Sequence, residues 1–290
     1  MLKNCFLILL LLVPIHYSFS QNIQKMEVWQ DSLYNLGKSV FGDEADVRRI
    51  ESNFNFVRTL VSALKEPNAY YYTFDKLNMI SIVKAPDDSF RIFSWNVPLH
   101  DGSYLYYGAV QFRAPSLKLI PLLDKTFDIK NPEKEILSPT QWYGAQYYDI
   151  AALGKNQYVL LGWKGHNAEY TKKVIDILNV EGQENISFGA PVFSDAPQHV
   201  RKIFNYNRMA TMLLRYNRAK NLLEFDNLIQ LDPSLGDTYK NYVPDLSHNG
   251  YKLQNGKLKY EDNIQVVNAE EDLLRQREAP KNTKSGLGLR

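Results

Sequence analysis

The stretch FRIFSWNVPLHDGSYLYYGAVQF, residues 90–112, decides the fold. Two runs rich in β-branched and aromatic residues flank a polar turn, and Asp101-Gly102 inside that turn is a strong hairpin signal. Side chains alternate across a strand, so Phe93 and Trp95 share one face. The same texture continues on both sides. Met79 to Lys84 reads as a strand, with Ala85-Pro86-Asp87-Asp88-Ser89 as the turn into the hairpin. Tyr70 to Phe74 precedes it and Leu117 to Leu123 follows it, which gives a meander of sequential antiparallel neighbours. Residues 124–140 are polar, carry Pro132 and Pro139, and read as a loop.

Strands resume at Trp142 to Ile150 and Tyr158 to Trp163. Val174 to Val180 fits helix or strand by period; its Val/Ile content and the Glu181-Gly182-Gln183 turn favour strand. Ile186 to Phe193, Arg201 to Tyr206, Met209 to Tyr216 and Leu222 to Ile229 complete the series, while Pro233 to Tyr260 reads as a long ordered loop with a hairpin at Asn255-Gly256. Tyr106-Tyr107-Gly108-Ala109 echoes as Trp142-Tyr143-Gly144-Ala145, a lag near that of one propeller blade. Short strands at this spacing point to a propeller-like or barrel-like closure.

Upstream of the strands the period changes to that of a helix. Met26, Trp29, Leu33 and Leu36 form one apolar stripe, and Val47, Ile50, Phe54, Val57, Leu60 and Leu64 form a second, stopped by Glu66-Pro67. The expected class is therefore α+β, mainly β, with two N-terminal helices followed by an antiparallel β-meander. The expected organisation is a signal peptide over 1–20, a helical segment over 21–68, a β domain over 69–268 and a disordered polar tail over 269–290.

The signal peptide is read from Lys3, the apolar run Phe6 to Val13, Pro14 and the small residues Ser18 and Ser20. The run is shorter than the roughly 20 apolar residues a membrane span needs. Cleavage is expected between Ser20 and Gln21, which removes Cys5, the one cysteine of the chain. A mature protein without thiols has no disulfide and no thiolate chemistry. The expected location is outside the cytoplasm, periplasmic rather than extracellular, with no transmembrane segment in the mature chain. A net charge of +2 over 290 residues offers no basic surplus for nucleic acid.

Phe90 to Trp95 before the Asp-Gly turn, Tyr147-Tyr148-Asp149-Ile150 leading to Tyr158-Val159-Leu160-Leu161-Gly162-Trp163, and the late segment Tyr242 to Gly250 resemble exported Bacteroidota proteins of uncharacterised function. The resemblance covers most of residues 70–265. It implies a diderm cell envelope and brings no activity with it.

Candidate chemistry is sparse. Asp245, Ser247 and Asn249, followed by Gly250, match the first half of a calcium loop, but Gly256 stands where the closing carboxylate belongs. Calcium is thus the one cofactor with any sequence support, and none is expected overall. His100, His166, His199 and His248 form no zinc-type pair. His166 lies in a strand connection, where ligand contacts collect. Trp95, Trp142 and Trp163 lie on or beside Tyr-rich strands and are candidates for stacking on a sugar ring or on a partner protein; the alternative, which strand alternation of Phe93 and Trp95 favours, is burial in the core. Asp149, Asp195, Glu224, Asp226, Asp232 and Asp237 are the carboxylates available for acid/base work. No nucleophile elbow, phosphate loop or dinucleotide fingerprint is present. The reading is an exported, non-catalytic binding or structural protein of the envelope, with a glycan or an envelope protein as partner; the alternative is a carbohydrate-active hydrolase using an Asp/Glu pair.

Overall fold

The computed structural model describes the backbone of residues 14–183 and 185–266, with side chains from residue 22 onward. Residues 1–13, which carry most of the expected signal peptide, and the expected tail over 269–290 lie outside it. Helix α1 (Pro14–Gly42) and helix α2 (Asp46–Leu64) come first. The α1 stripe buries Met26, Leu33 and Val40, two turns apart each time, and α2 answers with Phe56, Leu60 and Leu64. Asp43 joins them: its carboxylate accepts from the Ala45 N–H and from the Arg48 guanidinium, which hold its pKa below the usual range.

Thirteen strands then form three separate antiparallel sheets. The first holds β1 (Ser81–Lys84), β2 (Phe90–Pro98), β3 (Tyr104–Phe112) and β4 (Lys118–Leu123) in chain order. The second holds β5 (Gln146–Gly154), β6 (Gln157–Gly165), β7 (Tyr170–Glu181) and β8 (Asn185–Phe188), and β9 (Lys202–Asn207) pairs with the other half of the same β7 edge. The third holds β10 (Leu214–Asn217), β11 (Leu222–Gln230), β12 (Tyr242–Gln254) and β13 (Lys257–Glu261).

The cores show how these layers stack. Phe93, Trp95 and Val97 of β2 pack under the helices, whereas Phe90 and Ile92 join Tyr158, Leu160 and Val174 of the second sheet. Val159, Leu161, Ile175 and Ile177, on the opposite face of that sheet, join Phe225 and Tyr251 of the third. The order is helices, first sheet, second sheet, third sheet. A strand covered on both faces is buried along nearly its whole length, as β2 and β6 are, and the polar residues they carry, among them Arg91 and Lys164, are buried with them. The three sheets pack face to face, and no barrel closes among the described residues.

Three local expectations change. Tyr70 to Phe74 is not a strand: Ala69–Tyr71 is a 3-10 turn and Phe74 has φ +57°, because the carbonyls of Ala69 and Tyr72 turn inward to accept from the buried Arg91 side chain. Of Met209 to Tyr216, only the end is strand. Pro233 to Tyr260 contains the 13-residue β12. Its polar sequence hides a bulge: Asp226 pairs with His248 and Leu228 with Pro244, so Asn227 alone opposes Asp245, Leu246 and Ser247. Leu246 at φ +71° carries the distortion and points into solvent.

Candidate functional site: two faces of one sheet corner

The corner where β6 ends and β7 and β9 begin their pairing carries the richest chemistry of the molecule. Lys164 pairs with Lys172 and Lys172 with Asn205; Trp163 pairs with Lys173 and Thr171 with Tyr206. Strand alternation sends these two sets to opposite faces. Each face opens into a cleft.

The first cleft has a volume of about 230 Å³ and is walled by Lys130, Glu133, Tyr143, Lys172, His199 and Tyr239 among others. Behind its wall Lys164 is buried. Its ammonium donates to the Thr126 hydroxyl at 2.8 Å and to the carbonyls of Tyr143 at 2.7 Å and Gly144 at 2.6 Å. It also lies 4.3 Å from the Tyr106 ring centroid and 4.7 Å from that of Tyr143. No described carboxylate comes within ion-pair distance of Lys164 or Lys172. Burial pulls the Lys164 pKa down to about 7, with Asp124 opposing the shift and Lys172 and Arg201 adding to it. Desolvation lowers Lys172 too. Gly144 sits at φ +69°, and a Cβ there would meet the Asp124 carboxylate at 2.6 Å, so the turn that presents its carbonyl to Lys164 requires glycine.

Arg201, with no exposed surface, anchors the same wall. Its Nε donates to Asp176 at 2.8 Å, its Nη1 donates to the Pro132 carbonyl, and its guanidinium lies 5.5 Å from the Tyr143 ring. Asp176 also accepts from the Tyr147 hydroxyl, which in turn accepts from Trp142 Nε1, both at 2.9 Å. Two donors or acceptors of this wall have no hydrogen bond: Arg201 Nη2 and His199 Nδ1. The nearest charge to His199 is Glu133, 3.8 Å away and already accepting from the Ile203 N–H. Buried polar atoms without partners are rare and costly.

The second cleft, about 270 Å³, holds Trp163, Thr171, Lys173, Tyr206, Arg208 and Met212. Trp163 meets Tyr104 edge to face at 5.2 Å. Arg208 ties the first sheet to the second by donating to the Tyr104 hydroxyl and the Asn167 carbonyl, both at 2.6 Å. Lys173 donates to the Met212 carbonyl at 2.5 Å. The buried Thr171 hydroxyl has no partner.

Among the residues expected from sequence, Trp163 and His166 belong to this corner. His166 sits 4.5 Å from the Tyr170 ring; burial, then Lys172 and Lys164, drop its pKa to about 4, so its ring is neutral at ordinary pH. Trp95 and Trp142 lie elsewhere, in different cores, at 3% and 0% exposure, bonded to Asn53 and Tyr147. Their burial leaves no ring face open for stacking on a ligand, which corrects that expectation. Asp245, Ser247 and Asn249 sit at the β12 bulge. Asp245 accepts from the Ser247 N–H and hydroxyl and from Asn227, and Asn249 accepts from the Asn263 N–H. These bonds are those of a polar turn, and no cluster of three or more His, Cys, Asp or Glu suited to a metal occurs among the described residues.

Each of the six sequence-nominated carboxylates is engaged within the protein. Asp149 pairs with Arg218, Glu224 with Arg215 and Asp226 with His248. Asp195 accepts from Tyr251, Asp232 from Ser234 and Asp237 from Tyr242. Two further clefts lie away from the corner. The larger, about 650 Å³ beside the end of α2, holds one carboxylate, Glu66, engaged by Lys25 and Trp29. The other holds the neighbours Asp87 and Asp88, bonded to Tyr158 and to Lys84, Tyr70 and Arg113.

Lys164, Lys172, Arg201 and Tyr143 are the residues that sequence reading missed. The available signal was Lys164 at the end of an otherwise apolar strand, since an unpaired charge in a buried run needs an explanation. No family model, no curated protein and no solved structure matches the chain.

Proposed function

We propose that this chain is an exported, non-catalytic binding protein of the cell envelope, with a glycan or an envelope protein as partner. One observation carries the reading: a single sheet corner presents a cation-and-tyrosine cleft on one face and a tryptophan-walled cleft on the other, with buried polar groups that lack hydrogen bonds in or behind both walls. Aromatic walls with a few convergent polar groups are the usual make-up of small-ligand sites. A glycosidase needs two carboxyls roughly 5 to 10 Å apart across its substrate. The first cleft offers one carboxylate and the second none, which favours binding over hydrolysis.

The export part of the proposal rests on the leader pattern of residues 1–20. Among the described side chains of α1 the first core residue is Met26, so a cut after Ser20 would leave every described core contact in place.

Isothermal titration of the full chain against neutral and acidic oligosaccharides tests the reading, with the sugars analysed by mass spectrometry after a day. Saturable binding that Trp163→Ala weakens, with the sugars recovered intact, is the expected result. Cleavage that scales with protein concentration would replace this reading with the hydrolase.

A further inference from the structure

Building on that reading, we propose that the cleft between Tyr143, Lys172 and His199 is an oxyanion site, made to take a carboxylate, sulfate or phosphate group.

The charge count on its walls points that way. Lys130, Lys134, Lys172 and His199 line it against one carboxylate, Glu133. That carboxylate is already used by the Ile203 N–H. Behind the lining, Lys164 and Arg201 add two buried cations, and only Arg201 has a carboxylate of its own, Asp176. Like charges gathered in a poorly solvated place repel one another, and a bound anion relieves that cost. The arrangement of donors is specific as well. Lys172 reaches only the Tyr143 hydroxyl, at 3.4 Å, the weak limit of a hydrogen bond. His199 Nδ1 has no hydrogen-bond partner at all. Arg201 binds the Pro132 carbonyl of the cleft wall with one Nη and leaves the other unused. Asn131 and Asn205 supply amides at the rim. Lys172 and His199 on the lining, with Arg201 behind it, keep donor capacity that matches the several acceptor oxygens of an oxyanion. The Tyr143 and Tyr239 rings beside them suit the carbon skeleton that would carry such a group.

The same chemistry arises from a free inorganic anion or from an acidic sugar residue, and the experiment separates them. The full chain is titrated with sodium phosphate, sodium sulfate and an oligogalacturonate in low-salt buffer, and again with several hundred millimolar KCl. Saturable binding is expected for at least one probe. Lys172→Met should weaken it tenfold or more, His199→Gln should weaken it several-fold, and salt should weaken it further. Preference for phosphate or sulfate assigns a free anion, and preference for oligogalacturonate assigns an acidic glycan; either supports the site. Absence of saturable binding to all three, or binding unchanged in both variants, overturns it. His199→Gln keeps the test valid if Lys172→Met does not fold. Neutral sugars held in the Trp163 cleft, alongside a silent Lys172 cleft, would remove the oxyanion site and leave the binding-protein reading standing.

Discussion

Two buried arginines separate a structural knot from a site. Arg91, on β2 under the helices, spends its whole guanidinium: Nε on Gln111, Nη1 on the Tyr72 carbonyl and Nη2 on the Ala69 carbonyl. The rings of Tyr70, Phe74 and Phe93 close around it within 5.4 Å. Arg201 is buried as deeply and has a carboxylate, yet leaves Nη2 without a hydrogen bond behind the wall of the first cleft. Burial is common to both. What differs is whether the bonding capacity is met, and that difference is what the proposed oxyanion cleft accounts for.

The comparison can be broken or sharpened by measurement. The largest effect is expected at Asp176→Asn, which strands the Arg201 charge and disturbs the Tyr147–Trp142 chain: a loss of about 3–5 kcal/mol in urea-denaturation stability. A loss under about 1 kcal/mol would mean that Arg201 is not held by this pair. Arg91→Met should cost about 2–3 kcal/mol, since it leaves Gln111 and two carbonyls without a donor while filling the same ring-lined space. Ligand affinity at the sheet corner should be unchanged in that variant; if affinity falls with stability, the two arginines are not independent.

Acidity provides the next test. Burial holds Lys164 near pH 7 when folded, against 10.5 when exposed. Between those values the unfolded chain keeps a proton that the folded chain has lost, so this group makes stability rise as pH increases from about 7 towards 10. Lys164→Met should flatten that rise in melting curves taken across the interval. An unaltered slope would assign it to other groups. The smallest effect is expected at Thr171→Val. Removing a buried hydroxyl without a partner should be neutral or stabilise by up to about 1 kcal/mol, while weakening any ligand of the Trp163 cleft. Destabilisation beyond about 1 kcal/mol would show that the hydroxyl is satisfied in solution.

The sequence read the strands where pattern and chemistry agreed. Asp101-Gly102 and Asn255-Gly256 place hairpins because few residue pairs accept their backbone angles. The register from Phe90 opposite Phe112 to Pro98 opposite Tyr104 follows from that first turn. The reading failed where long-range bonds override local preference. Tyr70 to Phe74 looks extended, but Arg91 draws its carbonyls inward. Pro233 to Tyr260 looks like a loop, but a bulge lets polar Asp245 to Ser247 ride on a long strand.

For the site, the sequence nominated Trp163 and His166, which the fold brings to the sheet corner proposed to bind a ligand, and could not separate them from Trp95 and Trp142. Alternation says that Phe93 and Trp95 share a face; only layer stacking says that helices cover it. The sequence by itself thus determined the two helices, the hairpins, the β-rich class and the thiol-free segment after residue 20. Tertiary structure decided which tryptophan stays open, that Lys164, Lys172, His199 and Arg201 gather at one sheet corner, and that each nominated carboxylate finds a partner within the protein. The reason is physical: turns and periodicity arise between residues a few positions apart, whereas charge clustering and burial depend on which sheet faces meet across the core.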